Sequence, residues 1–179
     1  GILRTNNTDA WGASGSYSFD YMDGWMNLNW ASTNYWSWMF KRAPGFMDVV
    51  CYTGTGVAHA EAHNLGVVPE LMIVKQRSST NNWAVWATGL GTAVGTYGID
   101  SMYLNLNSSP GDNGAFATGP TTTGFSVSTY GATNGNGSTY VAYLFATLAG
   151  VSKVGSYSGT GADLNVDCGF SAGARFILI

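Results

Sequence analysis

The sequence predicts an all-β protein, an antiparallel β-sandwich of jelly-roll type that is built from repeats of about 105 residues. The apolar segments are short, rich in β-branched and aromatic residues, and separated by Gly, Asn and Ser. No stretch shows a convincing period of 3.6 residues. Charged residues are only 9% of the 179 residues and aromatic residues are 14%, so the composition predicts a substantial core beneath a neutral, hydroxyl-rich surface.

One five-residue phrase occurs twice, as YTGTG at Tyr52–Gly56 and as YSGTG at Tyr157–Gly161. A shift of 105 residues aligns the surroundings of the two phrases without a gap and gives eight identities in the 22 residues that end at Gly56. Further back, a five-residue difference in loop length places Gly24-Trp25 on Gly124-Phe125. A period of this kind predicts a repeat protein.

The alignment divides the chain into three segments. Residues 1–46 are predicted to be the C-terminal part of a preceding repeat, 47–151 a complete repeat, and 152–179 the start of a following repeat. Ile2-Leu3 then corresponds roughly to Tyr103-Leu104. The chain would begin within a unit and stop inside the apolar run RFILI, so we interpret it as an excerpt from a longer protein. One continuous β-sandwich over the whole chain is the alternative.

The strands are predicted in order from the apolar runs between turn residues. YWSWMF (Tyr35–Phe40) and YVAYLF (Tyr140–Phe145) are apolar on both faces, which is typical of a central strand. The glycines of YTGTG predict a tight hairpin in which Gly54 and Gly56 have positive φ. GDNG (Gly111–Gly114) and NGNGS (Asn134–Ser138) are predicted as flexible turns. The predicted strands are 25–30, 34–40, 46–52, 57–63, 70–76, 82–88, 101–107, 124–130, 138–146, 151–158, 163–168 and 174–179.

A cluster of titratable side chains occurs on one predicted strand, where His59, Glu61 and His63 would share a face. Such ligands suit zinc, but His59 and His63 would lie about 13 Å apart along an extended strand, too far for one ion without a bulge. A solvated or interface strand is favoured, and neither a metal nor a cofactor is predicted.

A carbohydrate contact is the one binding site that the sequence suggests. Trp83 and Trp86, in NNWAVWA, and Tyr97 offer aromatic rings flanked by amides and hydroxyls. Sugar recognition uses this combination, because CH groups stack on a ring while polar groups bind the sugar hydroxyls. The alternative is that the two tryptophans belong to the core or to a subunit interface.

Several function classes lack their signatures. Carboxylates are few, and no GxSxG elbow or Cys–His motif occurs, so no catalytic residues are predicted and the protein is not expected to be an enzyme. Cys51 and Cys168 are predicted to be two buried free thiols. The net charge is −3 with seven Lys and Arg that do not cluster, which argues against nucleic-acid binding. No apolar run approaches membrane-spanning length, so no membrane insertion is predicted.

The order of the segments resembles a module of structural proteins of tailed bacteriophages, notably marine phages and cyanophages. The segments that carry the resemblance are FMDVVCYTGTG (Phe46–Gly56), HNLGVVPELMIVKQRSSTNNWAVW (His63–Trp86), YLNLN (Tyr103–Asn107), GFSVS (Gly124–Ser128) and TYVAYLFATLAGVSKVGSYSGTG (Thr139–Gly161). They span nearly the whole chain. The third copy departs from the pattern, since SAGAR (Ser171–Arg175) replaces GVVPE (Gly66–Glu70).

The resemblance implies a virion protein, often tail-fibre-like, with a sandwich similar to concanavalin A-like or laminin G-like jelly rolls. The expected function is a non-catalytic structural module on a phage fibre, tail or capsid surface, with weak multivalent binding to a host surface glycan. Its expected partners are other virion subunits, in a homo-oligomer. The alternatives are a purely architectural decoration or cement module and a bacterial surface carbohydrate-binding adhesin.

Overall fold

A computed structural model describes residues 3, 5, 7–12, 17–21, 24–27 and 39–179. The described part of the chain is almost entirely β-structure and loop. Its strands are β1 (Tyr17–Tyr21), β2 (Gly24–Asn27), β3 (Met47–Thr53), β4 (His59–Ala62), β5 (Leu71–Gln76), β6 (Trp83–Ala87), β7 (Ile99–Tyr103), β8 (Gly111–Phe116), β9 (Gly124–Val127) and β10 (Thr139–Phe145). A 3₁₀ turn (Thr88–Leu90) and one short helix, α1 (Gly131–Asn134), complete the described elements. None of these helices is long and apolar enough to span a bilayer.

Strands β3–β10 form one antiparallel sheet in the order β3-β10-β5-β6-β7-β8-β9-β4. The sheet is nearly closed, and its two end strands, β3 and β4, are consecutive in the chain. Strands β1 and β2 form a separate antiparallel pair in which Tyr17 faces Asn27. The predicted all-β class is therefore confirmed for the described residues.

The core lies on the inner face of the eight-stranded sheet. Strand β10 contributes Tyr140, Ala142 and Leu144, all fully buried, because alternate residues of a strand point to the same face. Each large apolar side chain removed from water in this way contributes on the order of 2 kcal/mol. The prediction of a central strand is confirmed for β10, which pairs with β3 on one side and β5 on the other. Most of its counterpart, Tyr35–Phe40, lies outside the described residues.

A second cluster covers the outer face of the same strands. Ile73, Trp83 and Val85 are buried there against Leu71 and Tyr143. Apolar side chains on both faces explain why β5 and β6 read as continuous apolar runs rather than as alternating ones.

The segment YTGTG joins the two ends of the sheet and is not a hairpin, contrary to prediction. Its first two residues end β3, which pairs with β10, and the remaining three lead towards β4, which pairs with β9. Gly56 has the predicted positive φ, at 73°, but Gly54 does not. Glycine is required at Gly54 because neighbouring atoms leave no room for a side chain. A Cβ atom at Gly54 would collide with the Gly135 carbonyl oxygen and would lie 2.9 Å from Cε2 of Tyr140.

Asn134 fixes this closing segment. Its side-chain oxygen accepts a hydrogen bond from Thr55 N at 2.7 Å, and its Nδ2 donates to Val57 O at 2.8 Å and to Ser128 O at 2.5 Å. Asn134 is fully buried, so these bonds supply the partners that a buried amide requires. On the inner face Tyr52, from β3, packs edge-to-face on Phe125, from β9, with ring centroids 6.0 Å apart. Strands β3 and β9, which lie near opposite ends of the strand order in the sheet, thus meet across the core.

The three C-terminal strand predictions, 151–158, 163–168 and 174–179, are wrong. Within residues 146–179 the structure has only the isolated bridge between Leu148 and Ser152. The positions that correspond to 152–158 and 176–179 in the alignment are β3 and β5, and both of these strands pair with β10. The tail contains no counterpart of β10, so its apolar segments lack the strand that would satisfy their backbone.

Three further predictions need correction. GDNG is not a turn, because it opens β8. The strand predicted at 101–107 lies at 99–103. Cys51 and Cys168 are free thiols, as predicted, but Cys51 is exposed and Cys168 is half-buried, because Cys51 points away from the core on an end strand and Cys168 belongs to the strandless tail.

Candidate functional site

The clearest polar concavity lies at one end of β8 and β9. This tyrosine pocket has a volume of about 380 Å³ and is lined chiefly by Thr96, Tyr97, Asn113, Ser128, Thr129 and Tyr130. Thr96 and Tyr97 come from the loop before β7, Asn113 from β8, and the remaining three from the loop between β9 and α1.

Hydrogen bonds hold the walls of the tyrosine pocket. Asp112 Oδ2 accepts a hydrogen bond from Tyr97 N at 2.8 Å and so fixes the tyrosine loop on β8. Asn113 Nδ2 donates to Ser101 O at 3.1 Å. Ser128 Oγ donates to Gly114 O and accepts from Tyr130 N. These side chains fix the backbone on both sides of the pocket, although the second oxygen of Asp112, Oδ1, is buried without a hydrogen-bond partner among the described residues.

The two tyrosine rings remain accessible. Tyr97 is 71% exposed and Tyr130 is 38% exposed. Tyr103 Oη lies 3.4 Å from Tyr130 Oη, a weak contact, and burial together with this contact raises the pKa of Tyr103, which keeps its phenol neutral. No described residue gives the Tyr97 hydroxyl a hydrogen-bond partner. The pocket thus combines aromatic faces, hydroxyls and an amide, with no charged side chain in its lining.

The other two predicted ligand residues lie in the core. Trp83 is 3% exposed in the outer cluster, and its indole N–H donates to Asn7 O at 3.0 Å. Trp86 is 2% exposed in the inner core, and its indole N–H donates to Gly91 O at 2.9 Å. Both rings are packed, as in the alternative that the sequence left open, and neither offers a face for stacking. Of the three, only Tyr97 lines the pocket.

Sequence reasoning missed Tyr130, Asn113 and the pocket itself. These residues lie on separate loops and strands that only the β7-β8-β9 pairing brings to one place. The available signal was the pair of tyrosines in Gly/Thr-rich loops, since an aromatic residue beside such turns is often exposed.

The titratable residues of β4 do not form a metal site. His59 Nε2 donates to Glu61 Oε1 at 2.8 Å, and His59 Nδ1 lies 2.8 Å from Val57 O. His63 is buried separately, where it accepts from Leu65 N through Nδ1 and contacts Thr121 O through Nε2. Throughout the described ranges, no group of three or more His, Cys, Asp or Glu could hold a metal ion.

The hydrogen bonds of His59 favour its charged form. The Val57 carbonyl, and after it the Glu61 carboxylate, raises the pKa of His59, because both accept a hydrogen bond from the imidazolium ring. While the ring is protonated, neither of its nitrogens has a lone pair for a metal.

A larger apolar groove lies on the outer face of β3, β10 and β5. It has a volume of about 980 Å³, and the sheet contributes Cys51, Ile73, Val141, Tyr143 and Phe145 to it. Segments from both ends of the chain also line it, namely Leu3, Trp11, Phe40, Phe176, Leu178 and Ile179. The Phe40 ring packs edge-on against Phe176 with centroids 5.5 Å apart.

Residues 41–179 match a protein family whose description is "Domain of unknown function (DUF7483)". The chain belongs to this family. The DUF7483 match includes β3–β10 and the strandless tail, and it leaves β1 and β2 outside. No curated protein and no solved structure matches the DUF7483 chain.

Proposed function

We propose that this DUF7483 chain is a non-catalytic structural module of a tailed-phage particle. It is displayed on a fibre, tail or capsid surface, assembles with itself and with other virion subunits, and binds a host surface glycan weakly through the tyrosine pocket. The resemblance of segments such as Phe46–Gly56 and Thr139–Gly161 to phage structural proteins supports the virion assignment.

The exposed Tyr97 ring beside a hydroxyl-rich pocket is the observation that carries the binding proposal. A sugar ring presents CH groups on its face and hydroxyls on its edge, which match a phenol face flanked by Thr, Asn and Ser side chains. A lining without formal charge favours a neutral ligand over a phosphate or a nucleic acid.

The pocket is small and open, so a single site is expected to bind weakly. Repetition of the module along a chain and its assembly into an oligomer would raise the overall affinity by roughly 10²–10⁴-fold through effective concentration. The proposed function therefore depends on display in several copies.

The test uses the full chain, biotinylated at one end and displayed on tetravalent streptavidin. Binding to bacterial cells and to their purified surface polysaccharides is compared for the wild type, Tyr97→Ala and Tyr157→Ala. Tyr157 is an exposed tyrosine of the tail and serves as the matched control. We expect saturable binding that is lost in Tyr97→Ala and kept in Tyr157→Ala. Equal binding by the two variants would refute the pocket assignment.

We also propose that the nearly closed sheet is a two-layer sandwich of jelly-roll type, built from the predicted repeat. The contact between Tyr52 and Phe125 supports two layers that face each other. The bridge between Ala43 and Met47 and that between Leu148 and Ser152 support the repeat, since their residues are offset by 105. Gly45 and Gly150, inside these two turns, have φ values of 73° and 74°.

An architectural role without glycan binding is the second candidate, and the apolar groove favours it. A groove lined by Phe145, Tyr143 and Ile73 suits packing between subunits or between repeats. Cells of a susceptible host that bind neither the wild-type chain nor its variants would favour this role.

A further inference from the structure

A segment near the N-terminus is hydrogen-bonded across the outer face of β5 and β6. Thr8 O accepts hydrogen bonds from Lys75 Nζ at 3.0 Å and from Asn81 N at 2.8 Å. Asn7 O accepts the indole N–H of Trp83. Trp11 N donates to Arg77 O at 2.8 Å, and the Trp11 ring lies under the Arg77 guanidinium at 5.2 Å. We call residues Asn7–Trp11 the docked segment.

The site beneath the docked segment is built around a buried lysine. Lys75 is fully buried on β5, and its ammonium is also bonded to Asn81 O at 2.9 Å and lies 6.0 Å from the centre of the Trp83 ring. Burial lowers the pKa of Lys75, while the charge of Asp9, within the docked segment, opposes this shift. A buried ammonium is costly unless acceptors surround it, so the Thr8 carbonyl completes a site that β5 and β6 leave open.

The docked segment has a counterpart in the predicted complete repeat, residues 47–151, which we call the central unit. Continuing the correspondence of Leu3 with Leu104 without a gap places Asn7 on Ser108 and Thr8 on Ser109. The pairing of strands supports the order of the segments, since Tyr17 faces Asn27 and Phe116 faces Val127, at offsets of 99 and 100 residues. Both segments precede an antiparallel pair of strands, β1 and β2 in one case and β8 and β9 in the other.

Ala10 and Trp11 then fall on Gly111 and Asp112, which open β8, whereas the preceding part of the counterpart is not docked on the described chain. Residues Leu106–Pro110 are all exposed, including the apolar side chain of Leu106. Within the described parts of the chain, no hydrogen bond involves the backbone of Ser108 or Ser109. The central unit therefore exposes a segment of the same kind as the docked segment that covers its own Lys75.

We infer that Leu106–Pro110 is a docking segment for the next copy of this unit, where Ser109 O and Ser108 O bind the residues that correspond to Lys75 and Trp83. The inference rests on the repeat organisation proposed above and extends it to a contact between successive units. In this arrangement the Leu106–Pro110 loop of one unit docks on the buried lysine of the next unit along the chain. The buried lysine acts as the receptor for this contact.

The test extends the full chain by a second copy of residues 75–146. Ile179 corresponds to Val74, so the added residues follow in register. We expect two results from NMR. Backbone amides of Phe176–Ile179 become protected from exchange at least about tenfold, as they join a sheet. The added copy's Trp83 indole proton shows NOEs to Ser108 and Ser109, like those of the original Trp83 to Asn7 and Thr8.

Two variants locate the contact. Lys75→Met in the added copy alone is expected to remove the NOEs to Ser108 and Ser109, whereas Lys153→Met, at an exposed lysine, is expected to keep them. Protection at Phe176–Ile179 without those NOEs would overturn the docking contact and leave the repeat intact. A lack of protection there would overturn the repeat organisation and the docking contact with it. Neither result depends on glycan binding.

Discussion

Gly54 shows how a single hydrogen atom in place of a methyl group allows the sheet to close. We expect Gly54→Ala to lower the free energy of unfolding by roughly 2–3 kcal/mol, because a Cβ there meets the Gly135 backbone and the Tyr140 ring, neither of which can move freely. Chemical denaturation of the full chain measures the change.

Gly159 is the matched control for Gly54, since it occupies the same place in YSGTG. A Cβ at Gly159 meets nothing within 4 Å, and Gly159 is not among the glycines with positive φ. We expect Gly159→Ala to change the stability by less than about 0.5 kcal/mol. Equal losses in both variants would show that backbone flexibility, and not close packing, requires glycine at Gly54.

His59 gives the β4 end of the sheet a dependence on pH. Its pKa is raised in the folded chain by the Val57 carbonyl and by Glu61, so the folded state binds the proton more tightly than the unfolded state. The contribution of His59 to stability is therefore complete below its unfolded pKa of about 6.5 and is lost as the pH rises through the folded pKa.

An NMR titration of the His59 ring tests this dependence. We expect a midpoint above about 6.5 in the wild type. In Glu61→Gln the midpoint is expected to fall only part of the way, because the Val57 carbonyl still accepts from Nδ1. A wild-type midpoint at or below the ordinary value would contradict the two hydrogen bonds.

The sequence could identify aromatic residues but not their accessibility. Trp83 and Tyr97 both lie near amides and hydroxyls in the sequence, yet the first is buried and the second is exposed. The difference arises because the docked segment covers the outer face at Trp83, and its residues are far away in the chain. Such long-range cover leaves no local pattern, so the sequence does not show that Trp83 is buried, while Trp86 is buried separately in the inner core.

At the scale of elements, α1 matters through its last residue. We expect Asn134→Ala to destabilise the chain by roughly 3 kcal/mol, because Thr55 N, Val57 O and Ser128 O would lose a buried partner. Thermal and urea unfolding measure the loss. Asn136→Ala, at an exposed position two residues later, is the control and is expected to be nearly neutral. A small effect of Asn134→Ala would mean that water replaces its hydrogen bonds.

The sequence predicted most strands of the central unit, because their β-branched and aromatic runs are flanked by turn residues. Strand β8 escaped prediction, since Gly111–Gly114 has the composition of a turn and becomes a strand only between β7 and β9. In the tail, residues 146–179, the opposite error occurred, because strands were predicted where none forms. Phe176–Ile179 has the composition of β5 but no partner that corresponds to β10. Composition shows whether a segment is able to form a strand, and the presence of a neighbouring strand decides whether it forms one.

At the scale of the whole molecule, the tail should differ from the central unit in its resistance to proteases. Lys153 and Arg175 are exposed in a stretch without strands, whereas Lys75 is buried in the sheet. We expect brief trypsin treatment to cut after Lys153 and Arg175, and at the exposed Lys41-Arg42, while the bond after Lys75 stays intact. Mass spectrometry identifies the products. Early cleavage after Lys75 would contradict the fold described for the central unit.

The neighbouring positions of Phe46 and Ala146 have a mechanical consequence. The chain enters β3 and leaves β10 at the same end of the sheet, where Ala146 N donates to Phe46 O and Phe145 faces Met47. Tension along a string of such units would pull these two strands apart from one end. The seven paired positions from Met47 to Thr53 would then open one after another, as in a zipper, instead of resisting together in shear. A string of these units would therefore lengthen under small forces.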